Sequence, residues 1–150
     1  MGFRDNVDEP KGILTIWEES IGDLEKKVIL RKGNVFTNVA KQIVCDYLGK
    51  ASTYTGMDHF ALGTGVTAAS ATDTSLEVER YREAIDSFSR SGQVGTYTTV
   101  IDYGEANGYS YTEAGLFNQS SGGQMAARTV FSPRTKTASV KWTVEWKLYY

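Results

Sequence analysis

The chain has 150 residues, of which 41% are hydrophobic and 23% charged, with a formal net charge of -2. That length supports one domain with a sizeable core, and that hydrophobic content excludes a disordered chain. The charge is balanced and has no basic block, which excludes sequence-blind nucleic-acid binding. Lys26, Lys27 and Lys32 cluster but are flanked by acids, and read as a solvated strand and loop.

Residues 1–11, MGFRDNVDEPK, are polar and charged, lack the apolar core of a secretory signal, and read as a flexible arm. Met1-Gly2 is followed by Asn6 where a myristoylation motif needs Ser or Thr. No apolar run approaches the roughly 20 residues that span a bilayer. The expectation is a chain made in a cytoplasm, with no membrane and no nucleic acid among its partners.

GILTIWEES (12–20) alternates, with Ile13, Thr15 and Trp17 opposite Leu14, Ile16 and Glu18, and reads as a strand with both faces partly covered. KVILR (27–31) is a second short strand, followed by a turn at Gly33–Asn34. NVFTNVAKQIVCDYL (34–48) changes period. Val35, Val39, Ile43 and Tyr47 recur every fourth residue with Val44 and Leu48 beside them, the apolar stripe of a helix, with Asn34 or Thr37 to cap its start and Gly49 its end. Cys45, the only cysteine, excludes an intrachain disulfide and a thiolate zinc cluster; among helical core positions it reads as a buried, inert thiol.

From Met57 onward the signals are strands and turns. Residues 57–62 form a short strand. Residues 81–91, YREAIDSFSRS, form another whose buried face is ambiguous, ended by Gly92. Residues 95–103 are rich in the Thr, Tyr, Val and Ile that favour strands. A loop at 104–108 leads to a strand, or a strand with a bulge at Gly115, over 109–117, then a turn at 120–123 and a strand at 124–131. In SVKWTVEWKLYY, Val140, Trp142, Val144, Trp146, Leu148 and Tyr150 share one face without a break, which predicts a final strand with one buried side. These elements predict a mainly β fold: an antiparallel β-sandwich with one packed α-helix, spanning residues 12–150 as a single domain.

The search for chemistry assigns no catalytic, cofactor-binding or metal-ligating residue. Gly63-Thr64-Gly65 has Ala68 where a dinucleotide loop needs its third glycine, lacks the Gly-Lys-Ser/Thr of a phosphate loop, and opens no amphipathic helix; it reads as a turn leaving a strand. His59, the only histidine, lies near Asp58, yet no nucleophile elbow accompanies it, and a structural role is expected. Carboxylates at Asp73, Glu77, Glu79, Asp86, Asp102, Glu105 and Glu113 are plentiful enough for a glycosidase pair, whose geometry a sequence does not display. Glu113, set among apolar residues, is expected to find backbone amides or an arginine, Arg82 or Arg128. Trp142 and Trp146 read as core. Trp17, Tyr97, Tyr103, Tyr109 and Tyr111 read as partly exposed, which leaves weak carbohydrate contact open.

Three stretches then stand in order: ALGTG with DTSLEVERYREAI, EANGYSYTEAGLFN, and GGQMAARTVFSPRTKT ahead of the last strand. Together they resemble a family of tailed-bacteriophage virion proteins with the pattern A-L-G-T-G, D-T-x-L-x-x-E, E-A-N-G-Y-x-x-x-E-A-G-L-F, M-x-A-R-T-x-F and Lys-Thr. The resemblance covers most of residues 12–150, and this chain departs from it in that the pattern's Thr/Pro/Ala-rich stretch has Ala68, Ala69 and Ala71 here and no proline. It implies a non-enzymatic virion component without a cofactor: a short tail, collar, baseplate or fibre-adaptor protein, or a capsid decoration protein. A carbohydrate-binding module is the reading from another class. With the last strand ending at Tyr150 no fibre shaft is expected. The implied partners are other virion proteins and further copies of the chain, since homo-oligomers are common. Residues 1–11 are expected to touch a neighbouring subunit, with 64–77 and 103–108 the next contacts.

Overall fold

The computed structural model describes residues 11–49, 51 and 55–150. They form β1 (Lys11–Ser20), β2 (Lys27–Phe36), α1 (Asn38–Leu48), β3 (His59–Gly63), β4 (Glu79–Ala84), β5 (Ser87–Ser91), β6 (Val94–Ile101), β7 (Ser110–Phe117), β8 (Met125–Thr135) and β9 (Val140–Tyr149). The fold is mainly β with one helix. Lys11, the last residue of the expected arm, opens β1; the remainder of that arm lies outside the described residues.

The nine strands make one antiparallel sheet in the order β4-β3-β7-β8-β2-β1-β9-β6-β5. The sandwich arises because this sheet curls and its halves face each other. Phe60 on β3 meets Trp146 on β9 at 6.2 Å between ring centroids, and Tyr111 on β7 meets Trp142 on β9 at 6.1 Å. Two chain segments make the corners. β2 pairs with β1 through most of its length and with β8 only at Val35 and Phe36. At the other corner one continuous segment supplies both edges of the sheet. β4 pairs with β3, Ile85 N–H donates to Asp58 O, Asp86 N–H donates to Thr98 O, and β5 then pairs with β6. Strands that switch sheets at a bend are the usual way to turn such corners.

Burial sets the register. Leu14, Ile16, Trp142, Val144, Trp146 and Leu148 fill the interior from the β1–β9 side, and Phe60, Leu62, Ala114 and Leu116 from the β3–β7 side. Each buried indole N–H needs an acceptor. Trp142 donates to Glu18 Oε2 at 3.0 Å and Trp146 to Asn34 Oδ1 at 2.8 Å. The second bond explains why Gly33–Asn34 is not the expected turn. Asn34 stays in β2 opposite Gly12, and its side chain fills the place where a Cβ on residue 12 would stand.

Other expectations shift as well. Residues 81–91 are not one strand but parts of two. The ladder of β7 slips at 111–113 and 116–117, not at Gly115. Thr37 is the helix cap, accepting from Ala40 N–H at 3.1 Å, while Gly49 closes the other end. The apolar stripe of α1 is only partly used: Ala40 and Ile43 are buried, but Val44, Tyr47 and Leu48 are exposed, and so is Cys45. The helix packs against β8 at the open end of the sandwich, where only its first turns face another layer.

Candidate docking surface

Glu113 points away from the main core, onto the outer face of β3, β7 and β8, and is fully buried there. A carboxylate without water needs donors for its lone pairs. Three come from the backbone that follows β3: Gly65 N–H at 2.9 Å and Val78 N–H at 2.8 Å to Oε1, and Glu77 N–H at 3.0 Å to Oε2. Two come from Arg128 on β8, whose Nε and Nη2 reach Oε2 at 3.0 and 2.9 Å. Of the two arginines expected as partners, Arg128 fills the role. Arg82 instead pairs with Glu79 at 2.6 Å, stacks on Phe117 and donates to the carbonyls of Gln119 and Gly122.

The Gly-Thr-Gly turn is shaped by this carboxylate. A Cβ on Gly63 would stand 2.4 Å from Glu113 Oε1, and one on Gly65 2.6 Å from the same atom. Both glycines are therefore required by close approach rather than by positive φ. The turn does cradle an anion, and the anion is the protein's own.

Residues 64–78 cross this outer face as a braced loop. Leu76 packs with Ala61, Phe117 and Met125 in a small second core. Arg128 Nη1 reaches Asp73 at 2.8 Å and Nη2 donates to Thr67 O at 3.0 Å. Ser70 N–H donates to Asp73 Oδ2, Thr67 N–H to Glu77 Oε2, and Asn38 N–H to Ala71 O, which ties the loop to the helix. Burial works against the Arg128 charge, but the hydrogen bonds it donates to Asp73 and Glu113 outweigh it and hold its pKa above the ordinary arginine value. The hydrogen bond from Thr67 lowers the Glu77 carboxyl. Ala68, Ala69 and Ala71 lie within this bracing. What remains outward includes Val66, 71% exposed, with Thr67, Ala68, Thr74 and Ser75.

A second loop, residues 102–109, meets the first through Arg80, which donates to Thr64 Oγ1 and lies 5.2 Å from the centre of the Tyr109 ring. It is held by Lys136, also fully buried, whose Nζ donates to Asp102 O at 2.9 Å, Asn107 Oδ1 at 3.1 Å and Thr137 O at 3.2 Å. Burial lowers the Lys136 pKa, against the pull of Glu105, Asp102 and Glu18. Tyr111, expected to be partly exposed, is fully buried and donates from its hydroxyl to Ala106 O at 2.7 Å, and burial pushes its pKa up to about 12. Ala106 adopts φ 54°, the left-handed region.

His59 sits at the start of β3 with Nδ1 2.7 Å from Asp58 Oδ1. Trp17, Tyr97 and Tyr103 are half-buried and Tyr109 exposed. Among the described residues, no group of three or more His, Cys, Asp or Glu is placed to hold a metal, and no helix is long and apolar enough to cross a membrane. Lys136 had no local signal: it lies in a polar stretch, and its acceptors Asp102 and Asn107 are far away in sequence. Only its place in the Lys-Thr of the resembled pattern marked it. No family model matches the chain, and neither a curated protein nor a solved structure is significantly similar to it.

Proposed function

We propose that this chain is a non-enzymatic structural component of a tailed-bacteriophage virion, a short tail, collar, baseplate or fibre-adaptor protein that docks on other virion proteins. One observation carries the reading. The residues behind the resemblance, Gly63, Gly65, Asp73, Leu76, Glu113 and Arg128, converge on a single device that fixes loop 64–78 against the outer face of the sheet. Asn107, Tyr111 and Lys136 do the same for loop 102–109. Buried charge spent on holding two adjoining loops in one shape suits rigid recognition of a fixed neighbour, because pre-organised loops lose little entropy on binding. Loops carried by a rigid scaffold are also where binding residues concentrate.

The test is incorporation into particles. Val66→Asp changes only the outward side of the loop and is expected to leave thermal melting unchanged while reducing the amount of the protein in purified virions. Cryo-electron microscopy of intact particles is expected to place the nine-stranded module on the tail, collar or baseplate; density on the capsid lattice would turn the reading to a decoration protein. Absence of the chain from purified particles would overturn the virion reading.

A further inference from the structure

The two edges of the sheet are unlike. β4 carries Glu79, Arg80, Arg82 and Glu83 along six residues, the charged edge that discourages pairing with another strand. β5, Ser87-Phe88-Ser89-Arg90-Ser91, has one charge, no proline, and every residue exposed, with Phe88 57% exposed. It pairs with β6 through a two-residue turn, Gly92–Gln93, in which Gly92 has φ 57° at the position a type II′ turn reserves for glycine. Such a turn closes on a hydrogen-bonded pair, here Ser91 with Val94. By alternation Ser89 and Ser87 also bond toward β6, and the N–H and C=O groups of Phe88 and Arg90 point out from the edge.

We propose that β5 is the interface of a two-fold dimer of this chain, paired antiparallel with the same strand of a second copy and with Ser89 on the axis. The sequence of β5 is self-complementary in that register. Ser87 faces the second copy's Ser91, Ser89 faces Ser89, and Phe88 faces Arg90, so that each guanidinium lies beside an aromatic ring and no like charges meet. Aromatic–cation contacts of this kind are favourable, and the outward backbone groups of Phe88 and Arg90 complete each other's hydrogen bonds. Phe88 already packs tilted on Tyr97 at 4.8 Å and borders a groove with Gly95 and Tyr150. Pairing would extend that apolar row into a second copy and join two half-sheets into one. A five-residue edge is a small interface, so the dimer is expected at concentrations on the order of 10–100 μM, and repetition in a larger array would strengthen it. The inference stands independently of the virion reading.

The register gives the test. In a Cys45→Ser background, Ser89→Cys is expected to form a disulfide-linked dimer under mild oxidation, because a residue on the axis faces itself in a non-hydrogen-bonded pair with Cα atoms about 4.5 Å apart. Ser87→Cys and Ser91→Cys are each expected to crosslink only when mixed with the other. Arg90→Pro removes an outward N–H without touching the β5–β6 ladder, loses besides it the exposed Arg90 Nη1 bond to Gly92 O at 2.8 Å, and is expected to leave the chain folded, with melting little changed, and monomeric by sedimentation equilibrium. Phe88→Lys is expected to break the dimer, and Phe88→Lys with Arg90→Glu to restore it. A chain that stays monomeric up to about 500 μM, a Ser89→Cys protein that does not crosslink, or a dimer indifferent to Arg90→Pro would each overturn the proposal. A monomer that nonetheless needs the Arg90 N–H for capture by another protein would overturn it too, assigning the edge to a foreign strand.

Discussion

The two braced loops are held by opposite solutions to one problem. Under loop 64–78 a buried carboxylate meets a buried guanidinium, and backbone amides satisfy the lone pairs left over. Under loop 102–109 a buried ammonium meets only neutral oxygens. The ion pair is a mutual dependence, since deleting either partner leaves the other's buried charge with only part of its compensation, Asp73 and Thr67 O for Arg128 and three amides for Glu113. The lone ammonium has no such partner, and its removal leaves only neutral acceptors unsatisfied. The first loop should therefore fail harder than the second when its brace is cut.

The largest expected effect is Glu113→Ala, which leaves three buried amides without an acceptor and takes from Arg128 its fully buried partner, with Asp73 and Thr67 O remaining, and should cost about 3–5 kcal/mol in urea unfolding. In a double-mutant cycle Glu113→Ala and Arg128→Ala should be strongly non-additive, with a coupling of about 1.5–3 kcal/mol. A purely additive cycle would contradict mutual dependence. Lys136→Met keeps the aliphatic stem and removes both a costly buried charge and the donor for three acceptors; a net loss of about 2 kcal/mol is expected. A Lys136→Met cost equal to that of Glu113→Ala would erase the comparison.

Smaller effects sharpen it around the second loop. Tyr111→Phe removes the hydroxyl bond to Ala106 O and should cost about 1 kcal/mol in the same assay. Glu83 lies near this loop; one of its oxygens accepts from the Tyr81 hydroxyl at 2.7 Å and the other has no hydrogen-bond partner among the described residues. Burial, with Glu105 and Asp86 adding to it, raises its pKa from 4.5 to about 7. A carboxyl raised on folding holds its proton in the native state while the unfolded chain has lost it. Its stabilising contribution is full below pH 4.5 and is lost as pH rises toward 7. After solvent screening the loss should be about 1 kcal/mol or less, read as a falling melting temperature over that window that Glu83→Gln abolishes.

Sequence alone was most informative where burial is one-sided. The final strand was legible because its inward face is Val, Trp, Val, Trp and Leu and its outward face is not. The ambiguity of residues 81–91 had a physical cause: Glu79–Ala84 and Ser87–Ser91 belong to different halves of the curled sheet, so no single buried face exists. The helix end was legible in Gly49 and its start only as Asn34 or Thr37, whereas the exposure of Val44 and Leu48 depends on whether another layer covers them, which periodicity does not encode. Gly33–Asn34 looked like a turn by residue type, but the need of Trp146 for an acceptor keeps Asn34 in the strand. At the candidate site Glu113 was visible as a polar residue in an apolar strand. Its arginine was not, since Arg82 and Arg128 are equally basic in sequence and only strand order brings Arg128 beside it.

The central claim is that the motif residues build a rigid loop from a buried carboxylate. Residue-resolved amide hydrogen exchange on the wild type and on Glu113→Gln tests it most directly. The amides of Gly65, Glu77 and Val78, which donate to Glu113, should exchange as slowly in the wild type as those of β9. In the variant they should speed up by at least about tenfold, a change of about 1.4 kcal/mol, while the β9 amides stay protected. Fast exchange of those three amides in the wild type, or protection unchanged in the variant, would contradict the account.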